Sequence, residues 1–192
     1  MYTDSCFIDF IGDSFSLFHE FHIIIYNGSE EEKYLMDKIV YLKGKEDANM
    51  LSIFDVAKYL AQKEGMIDNT KIQKLCYYAQ GWYLGLKEEP LFDDEYEAWV
   101  HGPVCRELYN EIRYNNSLGK GDICRLTKAD KKYLDAIYEE YGGFSGMELS
   151  EMTHNETPWK ITRGEKLWHE ASGTIIDKKL MKDYFRKIVQ KN

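Results

Sequence analysis

Apolar residues recur at helical spacing from Met50 onward. The first apolar stripe consists of Ile53, Val56, Ala57, Leu60 and Ala61. Such spacing is typical of the buried face of an amphipathic helix. Ser52 precedes the stripe as a potential N-cap, Asp55 lies three residues after it, and Gly65 follows as a stop signal. The pattern therefore predicts a helix that begins after Ser52 and ends at Gly65.

The next helix is predicted from about Thr70 to Leu86, and it is apolar on most of its circumference. Its apolar and aromatic positions are Ile72, Leu75, Cys76, Tyr77, Tyr78, Ala79, Trp82, Tyr83 and Leu86. A helix of this kind usually lies at the centre of a core. Gly81 and Gly85 each lower its helix propensity by about 1 kcal/mol. We therefore expect a neighbouring element to approach the helix closely at these two glycines.

Capping residues and turn signals divide the rest of the chain into shorter elements. Residues 96–100 have an extended pattern, and Pro103 suits the first turn of the helix that follows. Further helices are predicted to begin at or just after Thr127, Ser145, Thr157 and Asp177. The predicted fold is mainly α, a compact multi-helix domain with a short extended segment near 96–100.

Residues 1–49 differ from the remainder and are predicted to be an N-terminal extension of a helical domain at 50–192. They carry 4 basic and 10 acidic residues, a charge of −6, whereas residues 50–192 carry 21 and 23, a charge of −2. The stretch Lys45–Met50 can be encoded by a purine-rich ribosome-binding sequence followed by a start codon. One hypothesis is therefore that Met50 is the native initiator and residues 1–49 are a translated leader, which would pack poorly on the domain. The alternative is a chance occurrence of a common tripeptide.

Composition excludes several classes of protein. With 192 residues and 44% hydrophobic content the chain can form a real core, which excludes general disorder. No apolar run approaches the roughly 20 residues of a membrane helix, so no membrane partner is expected. The near-neutral charge of residues 50–192 argues against broad nucleic-acid coating. The four cysteines are Cys6, Cys76, Cys105 and Cys124. They form no CxxC pair, which indicates reduced thiols in a cytoplasmic protein.

Motif searches return no catalytic, cofactor or metal pattern. The pair His169-Glu170 lacks the second histidine of a zinc-protease helix, because position 173 is Gly173. The residues with potential to converge on a metal are His101, Cys105, His154 and His169. Their spacing matches no zinc pattern, and histidines that hydrogen-bond in turns and helix ends are the favoured interpretation. An enzyme would need His101, His154 and Glu151 to meet in a cleft.

Two charge clusters of opposite sign stand out. The acidic segment consists of Glu88, Glu89, Asp93, Asp94, Glu95 and Glu97. The basic helix contains Lys178, Lys179, Lys182, Arg186, Lys187 and Lys191. From position 178 onward, Asp183 is its one acidic residue. The simpler interpretation is a solvated linker, together with cations that suit the dipole at a helix C-terminus. The functional alternative is electrostatic steering of a partner, which speeds and selects encounter.

Several motifs together resemble one protein family. The string TKIQKLCYYAQGW at Thr70–Trp82 resembles the signature helix of the Panacea-domain, or SocA-like antitoxin, family of bacteria and phages. The later motifs, which follow in the family's order, are Pro90–Asp93, Glu97–Trp99, His101–Val104, Leu149–His154 and Pro158–Trp159. The resemblance covers about Leu51 to Ile188. One departure is His101, where the family commonly has an aromatic residue.

This resemblance implies a helical domain, without catalytic residues or cofactors, that neutralises a co-encoded protein toxin by binding it. Some relatives act as adaptors that hand the toxin to a Clp-type protease. Because family members are paired with unrelated toxins, the fold does not name the toxin. The alternative function is a nucleic-acid-binding transcriptional regulator that uses the basic helix.

The predicted partner-binding residues lie in one turn and in the acidic segment before it. Loops at the end of a rigid scaffold tend to carry recognition, and this turn interrupts the extended segment. The residues are Trp99, His101, Gly102, Pro103, Asp93, Asp94 and Glu95.

Overall fold

The computed structural model describes residues 50–65, 68–167 and 170–190. The helices are α1 (Ile53–Glu64), α2 (Asn69–Lys87), α3 (Arg106–Asn115), α4 (Lys128–Tyr141), α5 (Gly146–Asn155), α6 (Thr157–Arg163) and α7 (Lys178–Gln190). A hairpin of β1 (Glu97–Trp99) and β2 (Gly102–Val104) connects α2 to α3, and a short 3₁₀ turn (Ile123–Arg125) precedes α4. The prediction of a mainly α fold with a short extended segment is therefore confirmed. The leader hypothesis and its expected poor packing concern residues that lie outside the described part.

Helix starts follow from local capping. At α1 the Ser52 side chain accepts from the Asp55 amide at 3.3 Å, and the Asp55 carboxylate accepts from the Ser52 amide at 3.0 Å. The same reciprocal arrangement begins α4 at Thr127 and α5 at Ser145. Each such cap contributes about 1 kcal/mol because it satisfies amides that have no partner within the helix. Gly65 ends α1 at a φ of 70°, as predicted.

Helix α2 is the centre of the core, which confirms the prediction from its apolar circumference. It contacts α1, α3, α4, α5, α7 and β2. Ile72, Leu75 and Ala79 are fully buried. No helix among the described residues is long and apolar enough to cross a membrane.

The two glycines of α2 lie beneath α7. A Cβ atom on Gly85 would lie 2.8 Å from the Cβ of Phe185, and one on Gly81 would overlap the Phe185 ring. Phe185 is buried and its ring packs edge-on against Trp82, with the ring centroids 5.3 Å apart. The expected close approach at both glycines is therefore confirmed.

The prediction that Pro103 begins a helix is wrong. Pro103 lies in β2 opposite Ala98, and α3 begins three residues later at Arg106. The reason is tertiary: side chains of α2 bond the extended backbone at Pro103 and Cys105 and hold it away from helical geometry. A proline is tolerated there because β2 is an edge strand.

Candidate functional site

The hairpin is fixed to the central helix by two neighbouring side chains of α2. The Gln73 amide brackets Cys105, accepting from its N–H at 2.8 Å and donating to its carbonyl at 3.2 Å. The Lys74 ammonium donates to the carbonyl of Pro103 at 3.0 Å. Both side chains are buried, and both lie within the Thr70–Trp82 string that carries the family resemblance. One function of that string is therefore to hold the hairpin.

Helices α5 and α6 bind the same hairpin at its turn and at β1. The Ser150 hydroxyl donates to the carbonyl of residue 101 at 2.9 Å. The Trp159 indole donates to the carbonyl of residue 99 at 2.9 Å, and Arg163 donates to that of residue 98 at 3.1 Å. The motifs Leu149–His154 and Pro158–Trp159 thus converge with α2 on one short backbone segment.

The turn between the strands depends on Gly102. Its φ of 95° is a conformation that residues with a side chain rarely adopt. A Cβ there would lie 2.6 Å from the Thr153 hydroxyl and 2.7 Å from the Cε of Lys74. Gly102 and Pro103 are buried, whereas His101 at the tip is exposed. Of the predicted turn residues Trp99, His101, Gly102 and Pro103, His101 is therefore the exposed one.

Trp99 forms part of a wall beside the turn. Its ring is half-buried against Tyr109, with centroids 5.0 Å apart, and the Arg106 guanidinium lies 5.1 Å over it. Its indole donates to Glu97 at 2.7 Å, and Glu97 also forms an ion pair with Arg106. Trp99 is thus held in one orientation rather than free on the surface.

A cleft of about 720 Å³ opens beside the hairpin. Its walls come from the first turns of α2, the hairpin, the start of α3 and the segment 171–173. The lining residues are Asn69, Thr70, Gln73, Lys74, Trp99, Val100, His101, Val104, Arg106, Tyr109, Ala171, Ser172 and Gly173. Two of the predicted partner-binding residues, Trp99 and His101, therefore line this cleft.

Lys74 is the most unusual of these lining residues. It is 1% exposed, and burial lowers its pKa to about 7 against a smaller opposing effect of Asp68. Sequence reasoning missed this residue as a functional candidate. The available signal was a lysine within a helix that is otherwise apolar on most sides.

The residues proposed for an enzyme are not assembled as such a site. His154 is half-buried and stacks on Trp159 with ring centroids 4.2 Å apart, and burial and the Lys74 charge lower its pKa to about 4. Within the described residues, Glu151 makes no hydrogen bond to His154 or His101. The arrangement therefore offers a neutral imidazole in a packed setting and no paired acid and base.

Three of the four residues considered for a metal, His101, Cys105 and His154, lie in the described part of the chain, and they form no metal-binding group there. No three histidine, cysteine or acidic side chains within residues 50–65, 68–167 and 170–190 could hold a metal ion together. Cys105 is a buried free thiol, and burial raises its pKa to about 11. His169 lies outside the described residues.

The acidic segment and the basic helix bind each other. Arg186 pairs with Glu88 at 3.2 Å, and Lys178 pairs with Asp93 at 3.6 Å. Asp94 has a different role, because its carboxylate accepts from the first amide of α1 at 2.9 Å. Of the three predicted acidic residues Asp93, Asp94 and Glu95, the first and the last are exposed. Hydrogen bonds and ion pairs of the described residues do not join these three to the turn.

Comparisons with known proteins agree with the motifs. The family model described as Antitoxin SocA-like, Panacea domain, matches residues 72–160, which run from α2 through the hairpin into α6. Antitoxin SocA of Caulobacter vibrioides (strain NA1000 / CB15N) is 26% identical over 163 residues, covering 73% of this chain and 86% of the relative. No solved structure matches the chain. The family model over residues 72–160 and this relative together therefore support a Panacea-domain family, that of the SocA-like antitoxins, for this chain.

Proposed function

We propose that this protein is an antitoxin that neutralises a co-encoded protein toxin by direct, non-enzymatic binding in the cytoplasm. The family match supports an antitoxin role in general. The observation that carries direct binding is the hairpin, whose backbone is held by donors from three helices while His101 at its tip faces solvent. A surface fixed in this way loses little conformational entropy when a partner binds.

The proposed binding surface is the turn at residues 99–103, and the exposed Asp93 and Glu95 of the acidic segment are proposed as additional partner-binding residues. The turn supplies the exposed imidazole of His101 and the immobilised edge of Trp99. Tyr, Trp and other aromatic side chains are favoured at interface centres because they bring large area at low entropy cost. The acidic residues contribute mainly to the rate and selectivity of encounter with a basic toxin surface.

Co-expression tests this proposal. The adjacent small reading frame is expected to stop growth alone and to permit growth when this chain is present, and the two products should co-purify. His101→Glu is expected to weaken the complex by about tenfold or more if the tip is central to the interface. The matched control is Lys128→Glu at an exposed position of α4, which should bind as wild type. Failure of the wild-type chain to rescue growth, together with no complex, contradicts direct neutralisation.

A more specific form of the function is a proteolytic adaptor that delivers the toxin to a Clp-type protease. Toxin half-life, measured with and without this chain, distinguishes the two forms. An adaptor shortens the half-life only in cells that contain the protease, whereas simple sequestration leaves it unchanged or lengthens it.

The alternative of a nucleic-acid-binding regulator is not favoured. Two cations of the basic helix, Lys178 and Arg186, are paired with the acidic segment. Phosphate binding would have to break these pairs, and the neighbouring carboxylates would repel the backbone of the nucleic acid.

A further inference from the structure

The cleft beside the hairpin has a mixed lining. Trp99, Val104 and Tyr109 supply apolar and aromatic surface, and Asn69 and Ser172 are among the polar residues beside them. Its volume of about 720 Å³ lies in the range of roughly 300–1,000 Å³ that small-molecule sites occupy. Lys74 contributes a buried ammonium group to the same lining. The cleft thus combines apolar surface with a single deeply placed cation.

Lys74 has more hydrogen-bond donors than its contact with the hairpin uses. Its one hydrogen bond among the described residues is to the carbonyl of Pro103, so two of its three donors have no partner there, and it forms no ion pair. The adjacent Gln73 holds the same strand with a neutral amide. A buried ammonium is costly unless an anion compensates it. Burial lowers the pKa of Lys74 more than Asp68 raises it, so an anion that enters the cleft would compensate a charge that the described residues compensate only in part.

No residue that lines the cleft supplies an anion. None of the 13 lining residues is acidic, although the whole chain carries 33 Asp and Glu against 25 Lys and Arg. Glu97 lies near the opening, where its carboxylate is 3.3 Å from the position of a Cβ on Gly173. It is already neutralised by Arg106 through a bidentate ion pair.

From this geometry we infer that the cleft is a binding site for a carboxylate attached to an apolar or aromatic body. The carboxylate binds the ammonium of Lys74, and the apolar body packs between Trp99, Val104 and Tyr109. The same chemistry is offered by a small aromatic acid and by the C-terminal residue of a peptide. The site shares Trp99 and His101 with the proposed binding surface. Its occupation needs no toxin, so each proposal can fail without the other.

Binding at this site takes up a proton. Lys74 has a pKa of about 7 in the free protein, and an adjacent carboxylate favours its charged form. Affinity should therefore fall about tenfold between pH 6 and pH 8. The ionisable groups that interact with Lys74 are Asp68 at the start of α2 and His154 of α5, and the cleft lining adds His101 of the turn and Arg106 of α3. His154, with its pKa of about 4, stays neutral across this range, and His101→Gln controls for the imidazole in the turn.

The test uses two pairs of probes with the purified full chain and calorimetry. The first pair is 3-phenylpropanoate and its neutral amide, and the second is acetyl-Gly-Gly-Phe with a free or an amidated C-terminus. The carboxylate of at least one pair is expected to bind about ten- to a hundredfold tighter than its amide. Preference within the first pair alone identifies a small-acid site, and preference within the second alone identifies a peptide end. Equal affinities in both pairs, or no binding of any probe, overturns the inference.

Three variants secure the assignment to Lys74. Lys74→Met keeps the aliphatic length and should abolish the preference for the carboxylate, whereas Lys128→Met on exposed α4 should retain it. Ala171→Trp adds bulk to the lining at an exposed position while Lys74 itself is kept, and it should weaken binding of both members of each pair. Thermal unfolding of each variant shows that the fold is kept. Retained carboxylate preference in a folded Lys74→Met protein refutes the site.

Discussion

Gly102→Ala is the substitution that most directly tests how the turn is built. An alanine at a φ of 95° is strained by about 1–3 kcal/mol. Its methyl group would also lie 2.6 Å from the Thr153 hydroxyl and 2.7 Å from Lys74 Cε, and such overpacking costs a further 1–3 kcal/mol or so. The expected loss in the free energy of unfolding is therefore about 2–6 kcal/mol, against a typical total of roughly 5–15 kcal/mol.

Urea denaturation followed by circular dichroism measures this loss. The matched control is Gly143→Ala, because a Cβ atom at Gly143 meets nothing within 4 Å and its φ is not positive. That variant should be neutral, or stabilised by a few tenths of a kcal/mol or so, since alanine restricts the unfolded chain. A loss below about 1 kcal/mol for Gly102→Ala would refute the argument that the turn depends on a missing side chain.

Three further predictions concern the core and the surface charges. Gly81→Ala should destabilise by about 1–3 kcal/mol, and combining it with Phe185→Leu should cost less than the sum of the two changes in urea denaturation; strict additivity would contradict their contact. Burial raises the pKa of Glu156 from 4.5 to about 8, so the folded carboxyl stays neutral while the unfolded one ionises. Wild type should therefore lose stability relative to Glu156→Gln as pH rises from about 5 to 8, and a constant gap would contradict this. Arg186→Ala should change the unfolding free energy by less than about 1 kcal/mol, because its pair with Glu88 is exposed; a larger loss would show a role beyond this ion pair.

Local chemistry made most of the helices predictable. The caps at Ser52, Thr127 and Ser145 act within three residues, so the sequence alone contains both partners. The close approach at Gly81 and Gly85 was also predictable, because a helix that accepts two glycines needs a reason in its packing.

Contacts between distant residues were not predictable in this way. The local sequence predicts Pro103 in a helix. The hydrogen bond that keeps it extended comes from Lys74, 29 residues earlier, and the local sequence does not show that contact. Lys74 itself showed no periodic pattern that distinguishes a lysine beneath a turn from one at the surface. In the sequence, the acidic segment and the basic helix are two separate charge clusters. In the fold, Glu88 and Arg186 form an ion pair that joins them.

The hairpin keeps its conformation only while the helices that donate to it remain together. Its donors range from Gln73 to Arg163 and come from three helices, α2, α5 and α6. The hairpin is therefore held only when these three helices have assembled around it. A nascent chain released before α6 lacks two of the donors, and a single cleavage between α2 and α5 separates the donors of α2 from the others once the pieces part. Any partner that recognises the turn would therefore lose it when the chain is cut between these helices.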